Sequence, residues 1–126
     1  MASEILKGKK ILIVEDDLSS RLFLNKILER TGAVILNAGD GQEALDIITG
    51  DKDIKLVLMD IQLPVMDGYT SAKQMRKLGL DVKIIAQTAY SLSADVENML
   101  TSGFDDFIIK PIYYEQLIEK LTACLA

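Results

Sequence analysis

The chain has 126 residues, 49% of them apolar, which is enough for one ordinary domain with a core of its own. Its net charge of −5 provides no basic stripe of the kind that binding to a phosphate backbone requires, so nucleic acid is not expected as a direct partner. Histidine is absent, which removes the usual general base, the usual transition-metal ligand and any phosphohistidine, and leaves the chemistry to carboxylates, hydroxyls, amides and lysine.

The opening MASEILKGKK has no apolar core of a secretory signal, and no apolar run approaches the roughly 20 residues that span a bilayer, so the expected location is cytoplasmic, without membrane insertion. The first predicted strand, Ile11 to Val14, runs into three consecutive acids, Glu15, Asp16 and Asp17. Like charges this close push one another toward protonation unless a cation or hydrogen-bond donors stand nearby. A helical stripe follows at Leu24, Ile27 and Leu28, then a strand at Val34 to Leu36. Asp40-Gly-Gln-Glu43 reads as a capping box opening a second helix, with its apolar face at Ala44, Leu45 and Ile48. The third strand, Leu56 to Met59, ends at Asp60, and a helix through Ala72 and Met75 comes next. The fourth, Val82 to Ala86, runs into Thr88 and is followed by a stripe at Val96, Met99 and Leu100. The fifth, Phe107 to Ile109, ends at Lys110, and the last helix carries Leu117, Ile118 and Leu121. Tyr113 and Tyr114 begin that helix and read as ordinary half-buried aromatics, with membership of an interaction surface as the alternative; Cys124 reads as a small residue within it, with no partner for an internal disulfide.

None of the five runs alternates polar with apolar residues, so each is expected to be a strand buried on both faces of a parallel sheet. Gly32, Gly50, Gly79 and Gly103 each stand between a helical stretch and a strand, where a left-handed C-terminal cap is wanted. Strict alternation of this kind predicts a doubly wound α/β fold, residues 1–126 forming a single domain. In such sheets ligands bind beyond the carboxyl ends of the strands. Glu15 to Asp17, Asp60, Thr88 and Lys110 would all reach that rim. Singly, each has an ordinary explanation as a solvated acid, a cap or a snorkelling lysine; together they predict a site. Clustered carboxylates suit Mg2+, a carboxylate is a competent nucleophile toward phosphorus, and ammonium and hydroxyl groups stabilise a transferring phosphoryl group.

The motifs LIVEDD, LMDIQLPVMDG, AQTAY and IIKPI together resemble the receiver domain of two-component response regulators, from about Lys10 to the last helix. The resemblance implies a flavodoxin-like (βα)5 fold with strand order 2-1-3-4-5 and helices on both faces. It implies a Mg2+ site, with Mn2+ able to substitute, made by Glu15, Asp16, Asp60 and the main-chain carbonyl of Gln62. Asp16 would be the direct ligand of the acid pair, with Glu15 acting directly or through water and Asp17 a rim or helix-entry residue. Asp60 matches the phosphoacceptor, Thr88 and Lys110 match the groups that hold the phosphoryl oxygens, and the Lys110-Pro111 bond is expected to be cis. Phe107 matches an aromatic switch position commonly held by tyrosine. Gln62 and Tyr90 match positions flanking the path of attacking water.

By the same resemblance the phosphodonor is a histidine kinase or a histidine phosphotransfer domain. A downstream effector or kinase domain would be met by the face of the fourth helix, fifth strand and fifth helix. LKGKKILIVEDD and DDFIIKPI are especially similar to receivers attached to hybrid histidine kinases. No output domain follows Ala126, so the signal is expected to leave through protein contacts or through a larger chain. The domain would not be an enzyme in the ordinary sense, although it would catalyse its own phosphorylation and dephosphorylation. A Mg-dependent phosphohydrolase forming an aspartyl phosphate is the enzymatic alternative, but it wants a second Asp two positions beyond the nucleophile, where Gln62 stands. A receiver-like interaction module that is no longer phosphorylated is another. A nucleotide-binding protein is disfavoured by the absence of either glycine-rich phosphate loop.

Overall fold

The computed structural model describes residues 4–89 and 93–125, with the backbone alone over 93–96. Strands and helices alternate as β1 (Lys10–Val14), α1 (Leu18–Glu29), β2 (Val34–Ala38), α2 (Gly41–Gly50), β3 (Ile54–Asp60), α3 (Gly68–Lys77), β4 (Lys83–Thr88), α4 (Ser93–Thr101), β5 (Asp106–Ile109) and α5 (Tyr114–Leu125). All strand pairs are parallel and the sheet order is β2-β1-β3-β4-β5, the doubly wound order expected for a flavodoxin-like fold. β3, which carries Asp60 at its end, is therefore the central strand.

The two-residue period of the strands divides the core into two layers. Leu12 and Val14 of β1, with Val57 and Met59 of β3, meet Ala44, Leu45 and Ile48 of α2, Ala72 and Met75 of α3, and Met99 of α4. Ile11 and Ile13, with Leu56 and Leu58, turn the other way onto Leu24, Ile27 and Leu28 of α1 and Leu117 and Leu121 of α5. The stripes expected on α1, α2, α3 and α5 are thus the faces that cover the sheet; of the stripe expected on α4, Met99 is buried, Leu100 is exposed and the side chain of Val96 lies outside the described residues. Cys124 lies in α5, partly buried against the second layer.

Burial on both faces holds for β1, β3 and β4 but not for the edges. Val34 of β2 is exposed and its next three residues are half-buried, and β5 buries only Ile108 fully. An edge strand has a neighbour on one side only, so solvent reaches its flank. Tyr113 and Tyr114 are also exposed rather than half-buried. Tyr113 precedes α5, and its carbonyl accepts the hydrogen bond of Leu117 N at 3.0 Å.

Gly32, Gly79 and Gly103 take φ of +81°, +74° and +102°, as left-handed caps require. Gly50 does not: it is the last residue of α2, and the chain leaves the helix through Asp51, extended at φ −138°. The Asp51 carboxylate holds that exit by accepting from Lys10 Nζ at 2.8 Å and from Asp53 N at 3.0 Å. The predicted cap at Asp40 is present, its Oδ1 accepting from Glu43 N at 2.8 Å. Among the described residues no helix is long and apolar enough to cross a membrane.

Candidate functional site

Because the strands are parallel, their carboxyl ends share one rim. Glu15, one residue past β1, is 1% exposed, and its main chain is fixed from both sides: its N–H donates to Ala38 O at 3.0 Å, and its carbonyl accepts from Arg21 Nε at 3.2 Å and Nη2 at 2.8 Å. Asp16 beside it is exposed. Asp17 has a different task. As the N-cap of α1 it accepts from Ser20 N and Ser20 Oγ, both at 2.8 Å, which uses its carboxylate to satisfy the first turn.

Asp60 is 6% exposed, its Oδ1 accepting from Gln62 N at 2.9 Å and its Oδ2 from Lys110 Nζ at 2.7 Å. The same Nζ lies 3.4 Å from Glu15 Oε1. Lys110 reaches inward from the end of β5, where its N–H donates to Thr88 O at 2.7 Å and the bond to Pro111 is cis. Thr88 is buried at the end of β4. The five residues assigned to the site from sequence, Glu15, Asp16, Asp60, Thr88 and Lys110, therefore arrive at one rim.

The loop after β3 folds back over the strand end, and glycine makes this possible. A Cβ on Gly68 would stand 2.5 Å from Asp60 O and 2.7 Å from Ile61 Cα, and Gly68 N donates to Ile61 O at 3.1 Å. A Cβ on Gly41 would collide with Met66 O in the same loop. Between them Val65 takes φ +65°, and Met66 N donates to Pro64 O at 2.7 Å, closing a three-residue turn that a β-branched residue enters only under strain. Gln62 at the start of this loop is exposed. Tyr90 lies outside the described residues.

Glu15, Asp16 and Asp60 each present a carboxylate oxygen, all within 4.8 Å of one another. Three hard oxygens with one ammonium among them leave a surplus of negative charge, and this donor set fits Mg2+. Burial pushes the Glu15 carboxyl above its ordinary value, the charge of Asp60 adds to this, and the Asp17 N–H and Lys110 oppose it. Burial pulls Lys110 down, but its hydrogen bond to Asp60 and the charges of Asp60 and Glu15 outweigh that and hold it above the ordinary lysine value. The ammonium is thus charged and clamped over the central acid.

Phe107 of β5 is half-buried against the layer of α2, α3 and α4, and Lys120 Nζ lies 5.5 Å from its ring centroid. Lys120 also bridges to both oxygens of Asp106, at 3.1 and 3.2 Å. Three contributors escaped the reading from sequence. Arg21 grips Glu15 from a helix position that looks merely polar, and Gly68 looks like ordinary loop glycine. Gln87, in register with Asp60 on the neighbouring strand, is fully buried; its signal was a carboxamide inside the aliphatic run IIAQT.

A flavodoxin-like parallel sheet with a cation-fitting acidic rim and a lysine-clamped central acid defines a class of α/β site, and the comparisons with known proteins give the family. The chain belongs to the response regulator receiver domain family, which residues 11–122 match. It is therefore a receiver domain of two-component and phosphorelay signalling rather than a conventional enzyme. It is 33% identical over 119 residues, 93% of this chain, to two-component system protein A of Emericella nidulans. The chain spans 17% of that relative and about half the length of other full-length relatives, such as response regulator MprA of Mycolicibacterium vanbaalenii. Among solved structures, the receiver domain of Saccharomyces cerevisiae response regulator Ssk1, crystallised with the histidine phosphotransfer protein Ypd1, superposes with a TM-score of 0.88 at 31% identity, covering 94% of this chain and 89% of that one. The receiver domain of sensor histidine kinase PA1611 from Pseudomonas aeruginosa, which has a magnesium ion coordinated in its active-site cleft, superposes with a TM-score of 0.86 at 32% identity, covering 94% and 98%.

Proposed function

We propose that residues 1–126 form a single phosphoacceptor switch in which Asp60 takes a phosphoryl group from a phosphohistidine partner. The observation that carries this reading is the state of Asp60: a buried carboxylate on the central strand, clamped by Lys110 at 2.7 Å and flanked by two further acids. A carboxylate oxygen of Asp60 attacks phosphorus as the bond to the imidazole nitrogen of the partner breaks. Glu15, Asp16, Asp60 and the Gln62 carbonyl would hold Mg2+, which would supply charge neutralisation at the phosphoryl oxygens. Lys110 holds a phosphoryl oxygen by its ammonium and Thr88 holds another by its hydroxyl.

The donor is a histidine kinase or histidine phosphotransfer domain. The exposed apolar side chains Leu18, Leu22 and Phe23 of α1, beside the acidic rim, suit docking of such a partner. The output face is made by α4, β5 and α5, with Thr88 and Phe107 as the movable pair. The site of action is the cytoplasm.

Incubation with phosphoramidate and Mg2+, followed by intact mass, tests the assignment. The wild type is expected to gain a Mg2+-dependent phosphoryl adduct that Asp60→Asn lacks; an adduct of equal yield in Asp60→Asn would move the acceptor elsewhere. Gln62 and Tyr90 set the lifetime of the adduct on this reading, Tyr90 by shielding it from water. Tyr90→Ala should therefore hydrolyse faster, and an unchanged hydrolysis rate removes Tyr90 from that role.

A further inference from the structure

A lysine ammonium carries three N–H donors. Two of those on Lys110 are matched by Asp60 Oδ2 at 2.7 Å and Glu15 Oε1 at 3.4 Å. Gln87 lies one strand over, in register with Asp60, and in a parallel sheet this puts both side chains on the same face. That side chain is 0% exposed, and it is the one amide among the aliphatic residues of β4. Its Nε2 is spent on Leu58 O at 3.4 Å, while its Oε1 accepts no hydrogen bond from any described residue. Gln87, Lys110 and Glu15 line one cavity of about 320 Å³, whose walls also include Phe23 and Leu24 of α1 and Ile112. Gln87, whose buried acceptor has no donor, and Lys110, which has a donor to spare among the described residues, thus line a common space with no direct hydrogen bond between them.

We propose that Gln87 is a positioning residue for Lys110, its side-chain carbonyl taking the third ammonium N–H directly or through one water in that cavity. The inference rests on the receiver reading given above. An acceptor fixed on β4 keeps the ammonium in place while its contact with Asp60 is exchanged for a phosphoryl oxygen, an exchange during which the longer contact to Glu15 is otherwise its one hold among the described residues. Gln87 touches no reacting atom; it acts through Lys110 alone, and this separates it from a residue that merely fills the core.

The test uses five chains: wild type, Gln87→Met, Gln87→Leu as a second apolar replacement, Lys110→Ala, and the double variant Gln87→Met with Lys110→Ala. Each is incubated with phosphoramidate and Mg2+, and the adduct is scored by intact mass over hours so that slow chains are measured too. Methionine matches glutamine in length and lacks the acceptor, so its thermal midpoint should equal or exceed that of the wild type. Gln87→Met should slow phosphorylation by about three- to tenfold, and this factor should vanish in the Lys110→Ala background. An unchanged rate in Gln87→Met overturns the proposal, as does an equal loss in both backgrounds, which is the signature of a structural role. If the wild type itself takes no phosphoryl group, it is the receiver assignment of Asp60 that fails, not the role of Gln87.

Discussion

Val65 shows how one residue stores strain beside a site. Its side chain is 84% exposed, so it contributes almost no buried area, yet its backbone sits at φ +65° in the turn that returns the chain toward Gly68. For a β-branched residue that conformation costs on the order of 1–3 kcal/mol. Glycine adopts it freely, and there is little packing to lose. Val65→Gly is therefore expected to raise stability by about 1 kcal/mol in urea titration; a loss of stability would mean that the valine side chain holds the loop by a contact worth more than the strain. Residue types also show where the site was legible before any coordinates. Asp60 and Lys110 stand out because a charge directly after an aliphatic run must lie at a strand end. Gln87 stands out less, because a carboxamide at the end of the run IIAQT looks like one more rim residue, and only the packed fold buries it. Gly50 was misread for a related reason: glycine permits a left-handed cap but does not demand one, and the contacts of Asp51 with Lys10, 41 residues away in sequence, decide the exit of α2.

At the level of elements, the helix ends carry charge that pH can remove. The hydrogen bonds from Ser20 N and Ser20 Oγ hold the Asp17 carboxyl below its ordinary value at the start of α1, and the Lys10 hydrogen bond does the same for Asp51 after α2. A carboxyl whose folded value is depressed stabilises the fold fully above its unfolded value, about 3.9, and that stabilisation is lost as pH falls through the lower folded value. Acid titration should therefore unfold α1 and the α2 exit more readily below about pH 4. Asp17→Asn, which keeps a cap without an ionisable group, should flatten that dependence; an unaltered acid limb in Asp17→Asn would show that the cap plays no part in it. Exposure of the edge strands belongs to this scale too. β2 and β5 carry aliphatic runs much like the central strands, and nothing local distinguishes them. Their half-burial follows from the order in which the strands assemble, which is a long-range property.

For the molecule as a whole, the proposed cation site at the acidic rim would tie fold stability to Mg2+. Glu15 is buried next to Asp60, and its carboxyl is held above the ordinary glutamate value by that burial and by the charge of Asp60. The sign is opposite to that of Asp17: the fold is favoured while Glu15 is protonated, loses stability as pH rises through the unfolded glutamate value, and carries the full cost above the raised folded value. A cation bound among Glu15, Asp16 and Asp60 favours their ionised forms and removes that cost. On the proposed function Mg2+ would bind the folded chain and not the unfolded one, so at a hundred times its dissociation constant it should add about 2.7 kcal/mol, a rise in thermal midpoint on the order of 10 °C for a chain of this size. The rise should be larger at neutral pH than near pH 5, because protons compete with the cation for the same oxygens. Asp16→Asn should reduce it while leaving the midpoint without Mg2+ nearly unchanged, since Asp16 is exposed and its carboxylate takes no part in the hydrogen bonds that hold Glu15, Asp17 and Asp60 among the described residues. Asp17→Asn should leave the Mg2+ response intact. If the midpoint ignores Mg2+ at every pH, or if Asp17→Asn abolishes the response and Asp16→Asn does not, then the three adjacent acids do not divide into a cation pair and a helix cap.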